Sequence, residues 1–141
     1  PRRKNNITAC INLEPLAAEY GMKFVECLPE GPGLKVADKE NIINKALGVL
    51  TENGFYAMSV FLLSANRSKD YAGCVFDHLV DMLCDERLSL TNTKKRGIDA
   101  LEEIRLITEN LPRLILARKV AEQALTFARY HCKAKSRLIM G

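Results

Sequence analysis

Tryptophan is absent from this chain, and histidine occurs only twice. The aromatic fraction is 6%, carried by four tyrosines and five phenylalanines, too few for a surface that reads bases one by one through stacking rings. The five cysteines are odd in number, and no CxxC occurs, which excludes a disulfide framework and implies reduced thiols. Long apolar runs are missing as well. The longest uncharged stretch, which contains Gly54 to Asn66 and begins at Asn53, is too short to span a bilayer at about 1.5 Å per residue. The basic start, Pro1-Arg-Arg-Lys-Asn-Asn, is not followed by an apolar signal core. Together these absences imply a soluble cytoplasmic protein that does not engage membranes.

Catalytic motifs are equally scarce. There is no GxSxG and no Ser/His/Asp order, and Gly31-Pro-Gly33 lacks the lysine and helix start of a P-loop. Glu102-Glu103 and Asp85-Glu86 are adjacent carboxylates at helix ends or on exposed faces, and nothing places them in a pocket that would shift a pKa. Cys74 and His78, at i and i+4 of one helix, can share a ligand set. No second close pair of known spacing accompanies them, and His131 and Cys132 are adjacent and point about 100° apart. The sequence therefore predicts no enzyme, no metal site and no cofactor.

What is present is helical pattern. At 141 residues and 48% apolar composition the chain is sized for one domain with a real core. Residues 1–11 read as a flexible basic arm and 12–141 as a single helical domain. Pro15 suits the start of a helix over 14–27, with Leu13, Leu16, Tyr20 and Phe24 inward. Leu28 to Lys35 holds two prolines and two glycines, hence a loop. Asp38 caps a helix to Thr51 that turns Ile42, Ile43, Ala46, Leu47 and Leu50 inward, and Asn53-Gly54 ends it. Phe55 to Ser64 is apolar nearly all round and is expected to be the most buried helix. Asn66 to Lys69 reads as a turn. A fourth helix over 69–85 presents Val75, Leu79, Met82 and Leu83, and a fifth over 98–109 presents Ile98, Leu101, Ile104 and Leu106. Pro112 opens the last helix, to Leu138. No sustained period-two alternation occurs. The fold class is all-α, a six-helix bundle with a long basic C-terminal helix.

That last helix carries the functional signal. On a wheel of about 100° per residue, Arg118, Lys119, Arg129, Lys133 and Arg137 fall within roughly a quarter of the circumference. Ala117, Val120, Ala121, Ala124, Phe127, Ala128 and Leu138 take the other side. From Arg113 to Arg137 there are seven Lys/Arg and one acid, Glu122. From Lys94 to Arg137 there are eleven bases and five acids, against a net charge of +4 for the whole chain. Further cations stand in predicted loops: Arg67 and Lys69, and Lys94-Lys95-Arg96. Such asymmetry suits a polyanionic partner, although a solvated charged face gives the same pattern. With so few aromatics, the contact implied is with the phosphate backbone of RNA, independent of sequence and sensitive to salt.

Three stretches carry a family resemblance. Ala46-Leu-Gly-Val-Leu-Thr-Glu-Asn-Gly-Phe-Tyr-Ala-Met-Ser-Val-Phe-Leu-Leu-Ser64 is a helix, an Asn-Gly turn and a very apolar helix. Lys69-Asp-Tyr71 is followed by Leu79 and Leu83. Glu122-Gln-Ala-Leu-Thr-Phe127 leads to Tyr130 and a basic, alanine-bearing tail, Lys133-Ala-Lys135. In this order, over about residues 13 to 138, the chain resembles the small all-helical subunit of type III-B (Cmr-type) CRISPR–Cas effector complexes. Two departures are visible: Tyr130 stands where that family has Trp, and the loop from Leu28 to Asp38 is long. They bear on the subtype, for which the related small subunit of type III-A complexes is the alternative. The resemblance implies a non-catalytic part in a ribonucleoprotein of antiviral defence. It implies copies that stack beside the backbone and large subunits and touch the phosphates of guide RNA and target RNA. By that analogy RNA contact falls to Arg118, Arg129, Lys133 and Arg137, with Lys119, Arg67, Lys69, Lys94 and Arg96 as secondary candidates. The competing reading is a helical adaptor or assembly module with no nucleic-acid role, whose basic stripe meets an acidic protein surface.

Overall fold

The computed structural model describes residues 12–64, 69–92 and 94–140, with the side chains of Lys69, Ile139 and Met140 left aside. The expected arm over 1–11, the turn at Asn66 and the side chains of Arg67 and Lys69 lie outside that description. Six helices follow in order: α1 (Glu14–Glu26), α2 (Val36–Asn53), α3 (Phe55–Ser64), α4 (Lys69–Cys84), α5 (Gly97–Thr108) and α6 (Leu111–Met140). They form an all-α bundle. Among the described residues the only bridge-like pairing is Gly31 with Leu34 in the α1–α2 loop. No helix among them is long and apolar enough to cross a membrane.

The helix boundaries follow local chemistry. Pro15 sits in the first turn of α1, where its missing N–H costs nothing. Gly54, at φ +99°, ends α2 by returning its N–H to the Leu50 carbonyl at 3.1 Å. Asp38 is not the N-cap of α2. It stands inside the first turn, and its Oδ2 accepts the Lys35 backbone N–H at 2.8 Å. A carboxylate one turn in reaches back to a free donor as effectively as a cap residue does, so the helix begins earlier than the capping pattern predicts.

Apolar pattern and burial agree for α1, α2 and α4, where Val75, Leu79, Met82 and Leu83 are all buried, and diverge in α3 and α5. α4 supplies Tyr71, Ala72, Val75, Phe76, Leu79, Val80, Met82 and Leu83 to the core. It, and not α3, is the richest buried helix, since Tyr56 and Val60 of α3 stay exposed. In α5, Ala100, Leu101, Ile104 and Ile107 are buried, whereas Ile98 is 73% and Leu106 50% exposed. The inward face is rotated from the one expected, because the helix packs through 100, 101, 104 and 107.

The α1–α6 seam is built for close approach. Ala117, Ala121, Ala124 and Ala128 of α6 are fully buried. Opposite them is Gly21, where an added Cβ would lie 2.9 Å from the Ala124 carbonyl oxygen and 2.9 Å from Phe127 Cβ. The obstructing atoms are backbone and a β-carbon, which have no rotamer to escape into. Gly21→Ala is expected to force the helices apart and cost about 1–3 kcal/mol despite its better helix propensity. A drop in the urea midpoint at unchanged m-value checks this; a stabilised variant would contradict the seam as described.

A polar lock holds the middle of α1. Arg87 pairs with Asp85 at 2.8 Å and with Glu19 at 2.9 Å, and the Tyr20 hydroxyl donates to Asp85 at 3.2 Å. The Arg87 guanidinium holds the Asp85 carboxyl well below the usual carboxylate range. Burial, then the Asp85 charge, pushes the Tyr20 hydroxyl up to about 12. A carboxyl depressed on folding adds stability that is present above its unfolded pKa, about 3.9, and is lost as pH falls toward its folded value. The stability gap between the parent and Asp85→Asn is therefore expected to be widest at neutral pH and to narrow below about pH 4. Denaturant unfolding over a pH series measures it.

Candidate nucleic-acid interface

α6 is positioned by its buried flank: Ala117, Val120, Ala121, Ala124, Leu125, Ala128 and Cys132 face α1 and α2. At 3.6 residues per turn this fixes where the remaining side chains stand. Arg118, Lys119, Arg129, Lys133 and Arg137 are all exposed. From Arg118 to Arg137 the ridge is about 28 Å long at about 1.5 Å per residue.

The ridge is only partly answered by the fold's own acids. Lys133 pairs with Glu40 of α2 at 2.9 Å. Lys135, next to the ridge, pairs with Glu30 of the α1–α2 loop at 2.7 Å. Arg118 donates to the Thr51 carbonyl at 3.3 Å, a neutral acceptor that leaves its charge intact. Lys119, Arg129 and Arg137 form no ion pair among the described residues. Arg129 lies 6.0 Å from the ring centre of Tyr130, itself 60% exposed. A cation beside an open aromatic face is a combination suited to a phosphate and an unstacked base.

The second cluster differs. Arg96 faces Asp77 at 3.6 Å and Asp81 at 3.5 Å, and Lys94 reaches Asp81 at 4.0 Å. Lys95 meets Glu103 at 3.5 Å. These cations are already matched by carboxylates of α4 and α5, and each such pair at an exposed position is worth little in stability. Lys94 and Arg96 thus face α4 and are not drawn to the α6 ridge by any of these contacts.

Two apolar predictions on α6 are corrected. Leu138 is 82% exposed, and Phe127 is only half-buried. Leu138 stands near the C-terminal end of α6, where α1 does not close over it. A shallow groove remains there between α1 and α6, lined by Met22, Val25, His131, Ala134 and Leu138.

Of the carboxylates weighed for chemistry, Asp85, Glu102 and Glu103 are engaged in ordinary pairs with Arg87, Arg105 and Lys95. Glu102 and Glu109 both hold Arg105, at 3.1 and 2.8 Å. The carboxylates that shift among the described residues, Glu19, Glu30 and Asp85, all shift downward because hydrogen-bonded cations stabilise the charged form. Burial pushes the Cys132 thiol up to about 11, the opposite of nucleophile activation.

Two arrangements are invisible in the sequence pattern. Lys39, in the first turns of α2, is fully buried. Its Nζ donates to the Val25 carbonyl at 2.7 Å, to the Leu28 carbonyl, and to Glu30 Oε2 at 2.6 Å. The only hint is its register: 39 shares a face with 36, 42, 43 and 46. The second is Cys27, just beyond α1, which joins Cys74 and His78 of α4, with one ligand atom of each within 4.8 Å of the others. The pair Cys74 and His78 thus has a third partner, one that spacing along the chain could not reveal.

Compared with known proteins, the chain gives no significant match to a family model, a curated protein or a solved structure.

Proposed function

We propose that this chain is a non-catalytic small subunit of a type III CRISPR RNA-guided effector complex, closest in pattern to type III-B. In this reading it works in the cytoplasm, in antiviral defence, stacked in several copies along the backbone and large subunits. It touches guide and target RNA through the phosphates. The observation that carries the reading is the exposed ridge Arg118, Lys119, Arg129 and Arg137, which makes no ion pair with a carboxylate among the described residues. The sequence resemblance, over about residues 13 to 138, supports the same reading. Contact of this kind needs no pocket, no shifted pKa and no base-specific side chains, only cations held in line on a rigid helix.

A second reading draws on a different observation. Met22, Tyr130 and Leu138 are exposed apolar residues close to the basic ridge, and Lys133 and Arg96 already face acids within the chain. That mixture also fits an adaptor whose basic stripe meets an acidic protein. Copurification from the native host separates the two. The RNA reading expects small RNA in the purified assembly and partners released by ribonuclease together with high salt. The adaptor reading expects partners retained after digestion and no RNA.

A further inference from the structure

The Cys27, Cys74 and His78 cluster is independent of the α6 ridge and unused by the proposed function. Its elements are rigidly placed. Cys74 and His78 lie one turn apart on α4, so they share a face. Cys27 follows the last turn of α1, and its backbone is held from several sides. Tyr71 donates its hydroxyl to the Phe24 carbonyl at 2.7 Å, Lys39 grips the carbonyls of Val25 and Leu28, and the Cys74 thiol donates to the Cys27 carbonyl at 3.3 Å. Cys74 Sγ and His78 Nδ1 are 4.0 Å apart.

Zinc–sulfur bonds of about 2.3 Å and zinc–nitrogen bonds of about 2.0–2.1 Å in tetrahedral geometry put ligand atoms roughly 3.5–3.8 Å from one another. The three atoms here lie within 4.8 Å, so movements of about 1 Å close the set. All three residues are half-buried, so an ion has a way in and a fourth ligand has room. We propose that Cys27, Cys74 and His78 form a zinc-binding site with three protein ligands and one open position. Zinc takes the place of the two thiol protons, which leave to solvent, and two thiolates then cancel its charge, leaving a neutral half-buried cluster. His78 Nδ1 stands 2.9 Å from the Cys74 carbonyl oxygen; that oxygen can only accept, so this nitrogen carries the ring proton. Ligation exchanges that hydrogen bond for a coordinate bond within the same space: the ring proton leaves Nδ1 through solvent and the neutral ring carries its proton on Nε2 instead. A thiolate-rich site selects zinc over magnesium or calcium. The ion would fasten the end of α1 to α4 beside Lys39.

The test loads the reduced full-length chain with zinc, removes excess by gel filtration and measures metal per chain. One zinc per chain is expected. Cobalt(II) in its place should give the intense visible bands of tetrahedral coordination and a near-ultraviolet thiolate-to-metal band. Removing an outer-sphere partner of a metal ligand costs about 10–100-fold in affinity, so Cys27→Ser or Cys74→Ser should weaken zinc binding by at least about tenfold. Cys84→Ser should leave it unchanged. Zinc should raise the melting temperature of the parent and not that of the serine variants. If a serine variant does not fold, His78→Gln on the half-buried face carries the same comparison. The proposal is overturned by zinc that washes out of the parent, by a cobalt spectrum without the thiolate band, or by equal affinity in the ligand variants. A metal-free Cys27–Cys74 disulfide in the reduced preparation overturns it too.

Discussion

Lys39→Met is expected to cost about 3–5 kcal/mol of folding stability, because it leaves two carbonyls at the end of α1 without their donor, at about 1–3 kcal/mol each. The reason is where the ammonium sits. A helix leaves its last carbonyls without partners and gathers partial negative charge there. At the end of α1 the Val25 carbonyl and the following Leu28 carbonyl both accept from Lys39 Nζ, and the Glu30 carboxylate accepts from its third N–H. All three donors of the ammonium are therefore used, in a place with no water to replace them. Methionine matches the stem but strands the buried Val25 carbonyl and the part-buried Leu28 carbonyl, each costing about 1–3 kcal/mol. Lys39→Arg keeps the charge yet offers a wider planar fork where a compact point charge fits, so it too should be destabilised. For a chain of this size the loss from Lys39→Met corresponds to a fall in melting temperature of roughly 10–15 °C. A loss under about 0.5 kcal/mol, the value for an ordinary surface lysine, would contradict the buried-cap account.

Glu30 links this lock to the candidate interface. It accepts from Lys39 on one side and from Lys135 of α6 on the other. Hydrogen bonds from Lys135 and then Lys39 hold its carboxyl below the usual range. The α1–α2 loop, itself pinned by the paired Gly31 and Leu34 backbone bonds at 3.0 Å, thus ties the far end of α6 to the bundle. The ridge is exposed but not loose.

The second large effect concerns that ridge. Arg129→Glu with Arg137→Glu should abolish binding of single-stranded RNA at moderate salt while leaving helical content unchanged. Neither side chain is buried, and neither has an ion pair among the described residues to lose. Each reversal removes an attraction to phosphate and adds a repulsion of similar size. Lys133→Glu belongs to a different class. It would also place a like charge beside Glu40, 2.9 Å from the present ammonium, and so mix binding with stability. Glu40→Gln is the informative partner: freeing Lys133 should tighten RNA binding, whereas an adaptor seated on an acidic protein would respond to protein charge and not to RNA.

Much of this was legible in the residues, for reasons that are local. Pro15, Gly54 and the 3.6-residue spacing of Leu16, Tyr20 and Phe24, or of Ala117, Ala121, Ala124 and Ala128, act within one or two turns, so the helices and the division of α6 into two faces follow from pattern alone. What pattern cannot carry is the choice among equivalent apolar faces. Ile98 and Leu106 fit the period as well as Ile107 does, and only the packing partner decides which are covered. Lys39 was hidden because its stabilisation comes from carbonyls of another helix. Cys27 lies 47 residues from Cys74, and no spacing rule spans that distance. The ion pairs of Lys133 with Glu40 and Arg96 with Asp81 were hidden in the same way, and they divide the candidate cations into those already matched inside the chain and those still open.

The most direct measurement is the affinity of the purified chain for a short single-stranded RNA, taken over a range of salt. If Arg118, Lys119, Arg129 and Arg137 each neutralise a phosphate, the plot of log affinity against log salt has a slope near about −3, from about 0.7 per contact. Arg129→Gln with Arg137→Gln should make it shallower by about 1.4. Identical slopes for parent and variant, or affinity indifferent to salt, would contradict the ridge as an RNA-binding surface.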